Sequence, residues 1–357
     1  MRKKFLSWLL AACMVAPCAL ALNACGGSGT KGLEYTKYGT GYAVIDIGKA
    51  TDAEIVIPET YKKEPVVAIA KRAFEGCDFI TSIDIPTSVK SIEEEAFSGC
   101  SGLKSLEIEH SLEKMERDIL KGCTSIETLT LPNLGAFDDL PSLFGLYHDE
   151  AIPESVKVVV LTHATSVGDG AFNGCENLRA IVINDGVESI GNNAFKGCKG
   201  ITDFGLPSSV TFIGDGAFYG CSSLEDLYYK GTMETWCNIT FKSGLGIYGK
   251  GYSNPMEAAE HLYFYDANTG NPYEVTEVVI PDTVTEIGDR QFEGIKNLES
   301  IVIPSSVTKI GEYAFSGCNA LTDVYYTGSQ IEWLTVKGQL QLIDEDITIH
   351  YNFTPAA

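Results

Sequence analysis

Positively charged residues are scarce in this chain of 357 residues. Lysine and arginine together number 26 against 48 aspartates and glutamates, so the formal net charge is −22 at pH 7. Proteins that bind nucleic acids present a basic surface to the phosphates, so this composition predicts no nucleic-acid partner. The same excess of negative charge argues against a protein that lies flat on an anionic lipid surface.

The residue patterns of common catalytic and metal sites are also missing. The chain has five histidines, with no His-Glu-x-x-His spacing, no Cys-x-x-Cys pair and no Gly-x-Ser-x-Gly elbow. Residues 244–250 resemble a phosphate-binding loop, but Gly251 stands where a serine or threonine would have to reach the metal. The acidic runs at 93–95 and 344–346 are interpreted as solvated surface. We therefore predict no catalytic residue, no metal site and no cofactor.

A repeat dominates what the chain does contain. A segment of 23 residues returns about eight times with drift, most cleanly from Asn184 to Pro207 and from Pro281 to Pro304. A fixed period of roughly 20–50 residues indicates stacked units that bury a core only by leaning on their neighbours. The repeat thus predicts a solenoid and disfavours a compact catalytic domain.

Three motifs make up each copy: Leu-x-x-Leu-x-Ile, Val-x-x-Ile and Ala-Phe-x-Gly-Cys. The alternating apolar residues that end the first motif predict a short strand with one face inward. The β-branched pair of the second predicts another extended segment, and the glycine of the third ends a short helical or 3-10 turn. We expect parallel β coils stacked about 4.8 Å apart, with phenylalanine, leucine and cysteine inside. The third motif occupies residues 73–77, 96–100, 171–175, 194–198, 217–221 and 314–318.

These motifs resemble those of a known family. Leu-x-x-Leu-x-Ile matches the strand of a leucine-rich repeat, and the continuation Pro-x-Ser-Val-x-x-Ile-Gly-x-x-Ala-Phe-x-Gly-Cys resembles the BspA-type subclass of bacterial cell surfaces. The resemblance covers roughly residues 34–350. It implies a leucine-rich-repeat solenoid and a role in adhesion to host or microbial surface proteins.

The cysteines follow the repeat rather than a disulfide pattern. Seven of them lie one per coil in a single column, where neighbouring Cα atoms come within disulfide range. Parallel inward side chains rarely reach the disulfide dihedral, so we predict free, buried thiols. Ile295 takes the cysteine position in one copy, which indicates that the column needs a small hydrophobe. The column consists of Cys77, Cys100, Cys123, Cys175, Cys198, Cys221 and Cys318.

Residues 1–24 have the pattern of a lipoprotein signal peptide. Three cations at Arg2, Lys3 and Lys4 precede an apolar run, and Leu22-Asn23-Ala24-Cys25 matches a lipobox. We predict lipidation at Cys25, a flexible tether over residues 25–33 and a cell-surface protein that meets the membrane only through its lipid. Alternatives are lipidation at Cys13, an ordinary secretory signal or a retained apolar helix.

Residues 34–350 divide into two blocks of repeats and the segments that interrupt or precede them. A Tyr-Tyr-x-Gly sequence leads to Trp236 and again to Trp333, so two blocks of coils end alike. The first hairpin is expected to pair residues 42–47 with 54–58, and the second to pair residues 261–265 with 275–281. The predicted segments are a capping hairpin (34–57), six repeats with an insertion at 132–153 (58–229), an irregular insertion with the second hairpin (230–280), and two further repeats with a C-terminal closure (281–350).

One stripe of residues is the natural ligand surface. The residue between the last two core positions of each strand points outward, and parallel stacking aligns these residues along the solenoid. The stripe is acidic at one end and aromatic at the other, which suits an extracellular protein or glycan. Tyr228 and Tyr325 lie beside the closing tryptophans, so burial beneath them is the competing interpretation. The candidate binding residues are Asp84, Glu107, Thr130, Tyr228 and Tyr325.

The functional hypothesis is a surface lipoprotein that binds macromolecules without catalysis. A carbohydrate-capturing or envelope scaffold protein is the first alternative. An exported hydrolase with its site hidden in residues 230–260 is the second.

Overall fold

The computed structural model describes residues 29–134, 138–147, 151–242, 253–339 and 346–355. The predicted signal peptide and the candidate lipidation sites Cys13 and Cys25 lie outside these residues. Two sets of short parallel strands, here called ladder I and ladder II, form the walls of a β solenoid. No helix among the described residues is long and apolar enough to span a membrane.

Ladder I contains the strands of the Leu-x-x-Leu-x-Ile motif together with the strands that continue their column without the motif. Its strands are β3 (Glu54–Val56), β6 (Ser82–Asp84), β8 (Ser105–Glu107), β10 (Thr128–Leu131), β11 (Val158–Leu161), β13 (Ala180–Val182), β15 (Asp203–Leu206), β17 (Asp226–Tyr229), β19 (His261–Tyr265), β21 (Glu277–Val279), β23 (Ser300–Ile303), β25 (Asp323–Tyr326) and β26 (Thr348–His350).

Ladder II contains the strands of the Val-x-x-Ile motif and their N-terminal counterparts. Its strands are β2 (Gly41–Asp46), β5 (Glu64–Ile69), β7 (Ser91–Ile92), β9 (Lys114–Met115), β12 (Ser166–Val167), β14 (Ser189–Ile190), β16 (Phe212–Ile213), β18 (Thr240–Phe241), β22 (Glu286–Ile287) and β24 (Lys309–Ile310). The other elements are β1 (Glu34–Tyr38), β4 (Thr60–Tyr61), β20 (Pro272–Glu274), the helices α1 (Leu140–Leu143), α2 (Met233–Cys237) and α3 (Gln330–Trp333), and a 3-10 helix at Pro255–Glu257.

The predicted strand–turn–strand coil is confirmed. In ladder I, Leu106, Leu129 and Val159 pair in register across three strands and all three are buried. The Ala-Phe turns form a third row, in which the Phe74 N–H donates to the carbonyl of Ala96 over 2.9 Å. Each coil therefore satisfies its backbone groups through the next coil, as a solenoid requires.

Glycine in the Gly-Cys step is required by backbone geometry. Gly99 has a φ of +76°, and a Cβ there would lie 3.1 Å from the Cα of Gly76 in the preceding coil. A larger residue would strain the left-handed turn and also push the two coils apart. The phenylalanine rings stack beside these turns, with centroids 5.4 Å apart for Phe172 and Phe195.

The column of described cysteines consists of free thiols, as predicted. Most are buried, while Cys318 is partly exposed. Each of five thiols also donates to the carbonyl oxygen of the phenylalanine in the preceding coil, for example Cys198 Sγ to Phe172 O over 3.1 Å. Burial raises the pKa of Cys221 to about 12. The column thus provides a weak hydrogen-bond donor as well as the predicted small hydrophobe.

The first capping hairpin forms between different strands from those predicted. β1 pairs antiparallel with β2 across a two-residue turn at Gly39, whose φ is +54°. The strand at residues 54–56 instead opens ladder I, where buried Ile55 lies opposite Ile83. Its alternating pattern matches that of the coils, so it gains more burial by stacking on the next coil than by folding back on β2.

The second hairpin has the predicted turn but a different second strand. β19 pairs antiparallel with β20, so Pro272–Glu274 takes the place expected for residues 275–281. The following strand, β21, joins the next coil, where Val278 lies opposite Ile301. Both side chains are buried there, which explains why the strand pairs forward along the chain.

More coils exist than the predicted six and two. Within residues 58–229 ladder I has a seventh strand, β11, whose buried Val159 and Leu161 continue the column of Leu129 and Leu131. Within the region predicted to be irregular, 230–280, helix α2 has a capping box at Thr232, and β18 extends ladder II. In the C-terminal part, ladder I has one more strand before the two predicted coils, β21, and one more after them, β26.

A polar seam joins the two blocks. Gln291, which replaces the usual alanine, is fully buried and donates from Nε2 to the carbonyl of Trp236 over 2.5 Å. In return, the Trp236 indole N–H donates to the Gln291 carbonyl over 2.9 Å, and Asn254 donates to the Arg290 carbonyl. The departure of Gln291 from the repeat pattern therefore has a structural cause.

Candidate functional site

The predicted outward stripe exists as two rows on ladder I. The first row contains three of the candidate residues in succession: Asp84, Glu107 and Thr130. Glu107 and Thr130 are register partners, and the coil of Asp84 is held to the next by Lys104 N–H donating to Thr81 O over 3.2 Å. The full first row is Val56, Asp84, Glu107, Thr130, Val160, Val182, Gly205, Tyr228 and Tyr263.

The N-terminal end of the first row is acidic and open. Asp84 and Glu107 are both exposed, and beside them Val56 is 41 % exposed although it is apolar. Neither carboxylate makes a salt bridge within the part of the chain that the structure describes. Two adjacent, unneutralised carboxylates next to an exposed apolar side chain suit a partner with complementary positive charge.

The C-terminal end of the first row is aromatic, but Tyr228 does not reach its surface. Tyr228 is only 5 % exposed because Tyr263 stacks on it, with ring centroids 4.9 Å apart. Burial, followed by the charge of Asp226, raises the pKa of the Tyr228 hydroxyl well above its usual range. Tyr228 is therefore buried, but beneath Tyr263 and not beneath the closing tryptophan as the competing interpretation expected, because Trp236 packs on Tyr229.

The second row lies on the C-terminal coils. Tyr325 is half-buried between His350 and Phe353, with ring centroids 4.6 Å away in each case. The ring of His350 also bonds from Nε2 to the Asp323 carboxylate over 2.8 Å, which holds the pKa of Asp323 below its usual range. All three residues of this small aromatic cluster are partly exposed to solvent. The second row is Val279, Val302, Tyr325 and His350.

A charged cluster lies between the two rows. His261 bonds through Nδ1 to Glu274 over 2.8 Å, and Asn297 donates to the same carboxylate over 2.7 Å. The Glu274 hydrogen bond raises the pKa of His261. Burial pushes the pKa of Glu274 upward, but its bonds to His261 and Asn297 outweigh this effect and hold it below the usual value. The cluster links β19, β20 and the following coil, so its evident role is to fix the second hairpin.

The repeat model of one family describes most of this solenoid. A BspA-type leucine-rich repeat region, in six copies, matches residues 57–140, 154–269 and 270–335. The chain belongs to the BspA-type leucine-rich repeat family.

Solved structures with similar folds come from several bacteria. A leucine-rich cell surface protein from Faecalibacterium prausnitzii is 21 % identical, with 88 % of this chain and 99 % of that chain covered and a TM-score of 0.40. A leucine-rich repeat protein from Bacteroides ovatus is 21 % identical, with 90 % and 98 % covered and a TM-score of 0.30. A leucine-rich repeat protein from T. pallidum is 19 % identical, with 82 % and 88 % covered and a TM-score of 0.22. No curated protein sequence matches the chain.

The stripe contains residues that the motif spacing did not reveal. Val56, Val160, Tyr263, Val279 and His350 lie in strands outside the recognised repeat copies. Val160 was detectable, because Val156, Val159 and Leu161 follow the Leu-x-x-Leu-x-Ile spacing. Tyr263 and His350 belong to strands without that spacing, so only the register of the ladder identifies them.

Proposed function

We propose that this chain is a lipid-anchored surface protein whose solenoid binds an extracellular protein without catalysis. The observation that supports the proposal is the acidic, unneutralised end of the first row, where Asp84 and Glu107 are exposed on strands of successive coils. A parallel ladder fixes the spacing of these side chains, so little conformational entropy is lost when a partner binds them. A partner with a basic, partly apolar patch would complement these carboxylates and Val56.

A carbohydrate ligand is the second candidate, and it would use the second row. The rings of Tyr325 and His350 stack with their centroids 4.6 Å apart, and both residues are partly exposed. Aromatic faces of this kind offer apolar area together with polar groups, which suits the amphipathic face of a sugar. The hydrolase hypothesis gains no comparable support. Among the described residues of 230–260, Trp236, Asn254 and Met256 are buried in the seam.

The binding proposal is tested with arrays of extracellular proteins and glycans followed by affinity measurement. For a protein partner, we expect Asp84→Lys/Glu107→Lys to weaken binding by about tenfold or more, chiefly through a slower association rate, because the steering charge is reversed. The control Glu188→Lys/Glu312→Lys makes the same charge change at exposed positions off the first row. Equal effects of the two double variants would contradict the proposed face, as would binding to glycans alone.

The anchor proposal rests on the lipobox at residues 22–25 and is tested separately. We expect Cys25→Ser to move the protein from the membrane fraction to the medium, because no lipid can be attached to serine at this position. Cys13→Ser is the matched control and is expected to leave the protein in the membrane fraction. Retention of the Cys25→Ser protein in the membrane would refute lipidation at this residue.

A further inference from the structure

We propose that the outer face of ladder I holds one amphipathic α-helix of the partner protein, laid along the solenoid axis with cationic residues at both of its ends. The inference deepens the proposed function and rests on its claim that the first row binds a protein. The helix would cover a strip of the first row, called the apolar strip below, that consists of Thr130, Val160, Val182 and Gly205. A pair of carboxylates lies beyond each end of this strip.

The apolar strip is the middle of the first row. Each of its residues stands between two buried positions of its strand and is itself partly exposed, so its side chain points outward. Thr130, Val160 and Val182 are successive register partners. Gly205 follows Val182 by one 23-residue period, and a Cβ at Gly205 would meet nothing within 4 Å. The strip therefore offers β-branched side chains and one shallow notch for an apolar partner.

A second pair of carboxylates lies at the far end of the strip. Asp203 and Asp226 are register partners on β15 and β17, each two residues before the first-row position of its strand, so both point outward. Both are partly exposed, and neither makes a salt bridge with any residue that the structure describes. His261 is the next residue of this column, but its ring bonds to Glu274. The second pair is thus as free to receive a cation as the first.

The carboxylates of the second pair oppose each other's ionisation in the unbound protein. Burial, followed by the charge of Asp203, raises the pKa of Asp226. A lysine or arginine placed between the two side chains would relieve this repulsion and gain an ion pair with each. Asp84 and Glu107 provide the same opportunity at the N-terminal end, where both are exposed. The face therefore presents a negative, an apolar and a negative section in succession.

The spacing of these sections sets the length of the partner element. Five steps along ladder I lead from β6 to β15, and five lead from β8 to β17. At about 4.8 Å per step, the two acidic pairs lie about 24 Å apart along the solenoid. An α-helix rises about 1.5 Å per residue, so about 16 residues separate its two cationic ends. The second pair lies about 7 Å to the side of the first row, so the helix crosses the strip at a slight slant.

A helix suits this face better than an extended strand or a second copy of the chain. The N–H and C=O groups of a sheet point towards the neighbouring strands, so the face of the sheet gives a ligand no backbone partner. A helix satisfies its own backbone groups, whereas a strand laid on the face would leave its groups unpaired. A second copy would bring its own carboxylates to the ends of the strip, where like charges repel.

The test uses the purified full chain and a fluorescein-labelled peptide of about 18 residues, rich in alanine and glutamine. Lysine pairs stand at the two ends of the peptide, about 16 residues apart, and three leucines lie between them on the same helical face. We expect saturable binding by fluorescence anisotropy and a gain of helicity by circular dichroism. A peptide of the same composition, with the lysines in the middle and the leucines at the ends, is expected to bind at least about fivefold more weakly, because it keeps the charge but loses the spacing.

Variants of the second acidic pair test the charge of the strip's far end. Asp203→Asn/Asp226→Asn should weaken peptide binding about tenfold, because it removes both partners of one lysine pair. The control Asp52→Asn/Asp282→Asn makes the same charge change at exposed positions off the strip and should leave the affinity within about twofold. Equal effects of the two double variants would show that the peptide is attracted only by the net charge, which would overturn the proposal.

A valine variant tests the apolar section. Val182→Lys should weaken peptide binding at least about tenfold, since it places a cation against the leucines and between the lysine pairs. Val279→Lys makes the same change at an exposed valine of the second row and should leave the affinity within about twofold. Circular dichroism confirms the fold of each variant. Equal effects of the two substitutions would contradict docking on the strip.

The proposed function and this inference fail in different ways. A protein partner that loses affinity with Asp84→Lys/Glu107→Lys but not with Asp203→Asn/Asp226→Asn would leave the first row as the binding face and overturn the helix. Absence of peptide binding, or equal affinity of the rearranged peptide, would overturn it as well. Binding of the chain to glycans alone would contradict the proposed function and this inference together.

Discussion

Phe195→Ala should lower the free energy of unfolding by about 4 kcal/mol, the expected cost of removing a fully buried ring from a core that cannot close over the cavity. Phe195 is 0 % exposed and contacts three other rings, with centroid distances of 5.4 Å to Phe172, 5.0 Å to Phe204 and 5.1 Å to Phe218. Two of these rings belong to the neighbouring coils, so the substitution weakens an interface on each side. Urea unfolding followed by circular dichroism measures the change.

Phe315→Ala is the matched control, because it changes the same motif position near the C-terminal end. Phe315 is 7 % exposed and stacks on a single ring, that of Phe292, at 5.5 Å. In a repeat protein, stability is the sum of the intrinsic terms of the coils and the interfaces between neighbours. We therefore expect Phe315→Ala to cost at least about 1 kcal/mol less than Phe195→Ala. Equal costs would show that the column does not act through neighbouring coils.

How much the sequence reveals depends on whether a residue repeats. The phenylalanine and cysteine columns were predictable because each position recurs and nearly all copies bury an apolar side chain there. The strand β11 was missed although its valines fit the spacing, since the insertion before it displaces the coil from the 23-residue period. The hairpin partners were also missed: local alternation marks Glu54–Val56 as a strand, but only comparison of the burial available on each side tells which neighbour it joins.

In the candidate site too, positions that repeat were predictable from the sequence and positions outside the repeat were not. Asp84, Glu107 and Thr130 were predicted correctly as neighbours on one face, because consecutive coils of equal length must align their register. Tyr228 was placed on the same face by the same rule, yet its exposure is decided by Tyr263, which lies in a strand without the motif.

The second large effect on stability is expected at the seam between the two blocks. Two tryptophans in equivalent positions, Trp236 and Trp333, are expected to respond differently to replacement by phenylalanine. Trp236 and Trp333 are each almost fully buried and each packs on the second tyrosine of the preceding Tyr-Tyr pair, at 5.2 Å and 5.0 Å. The Trp236 indole N–H donates to the carbonyl of Gln291, which joins the two blocks. The Trp333 indole N–H has no hydrogen-bond partner among the described residues.

Trp236→Phe should therefore lower the free energy of unfolding by about 2 kcal/mol, because it keeps most of the buried ring but removes the 2.9 Å hydrogen bond from the indole to the Gln291 carbonyl. Trp333→Phe should change stability by less than about 1 kcal/mol in either direction, since it removes a buried donor that already lacks a partner. Urea unfolding of both variants measures the difference. Because Trp236 bridges the blocks, its variant should also broaden the transition as the C-terminal coils unfold earlier. A larger loss for Trp333→Phe than for Trp236→Phe would show that the two blocks are held together by apolar contact alone.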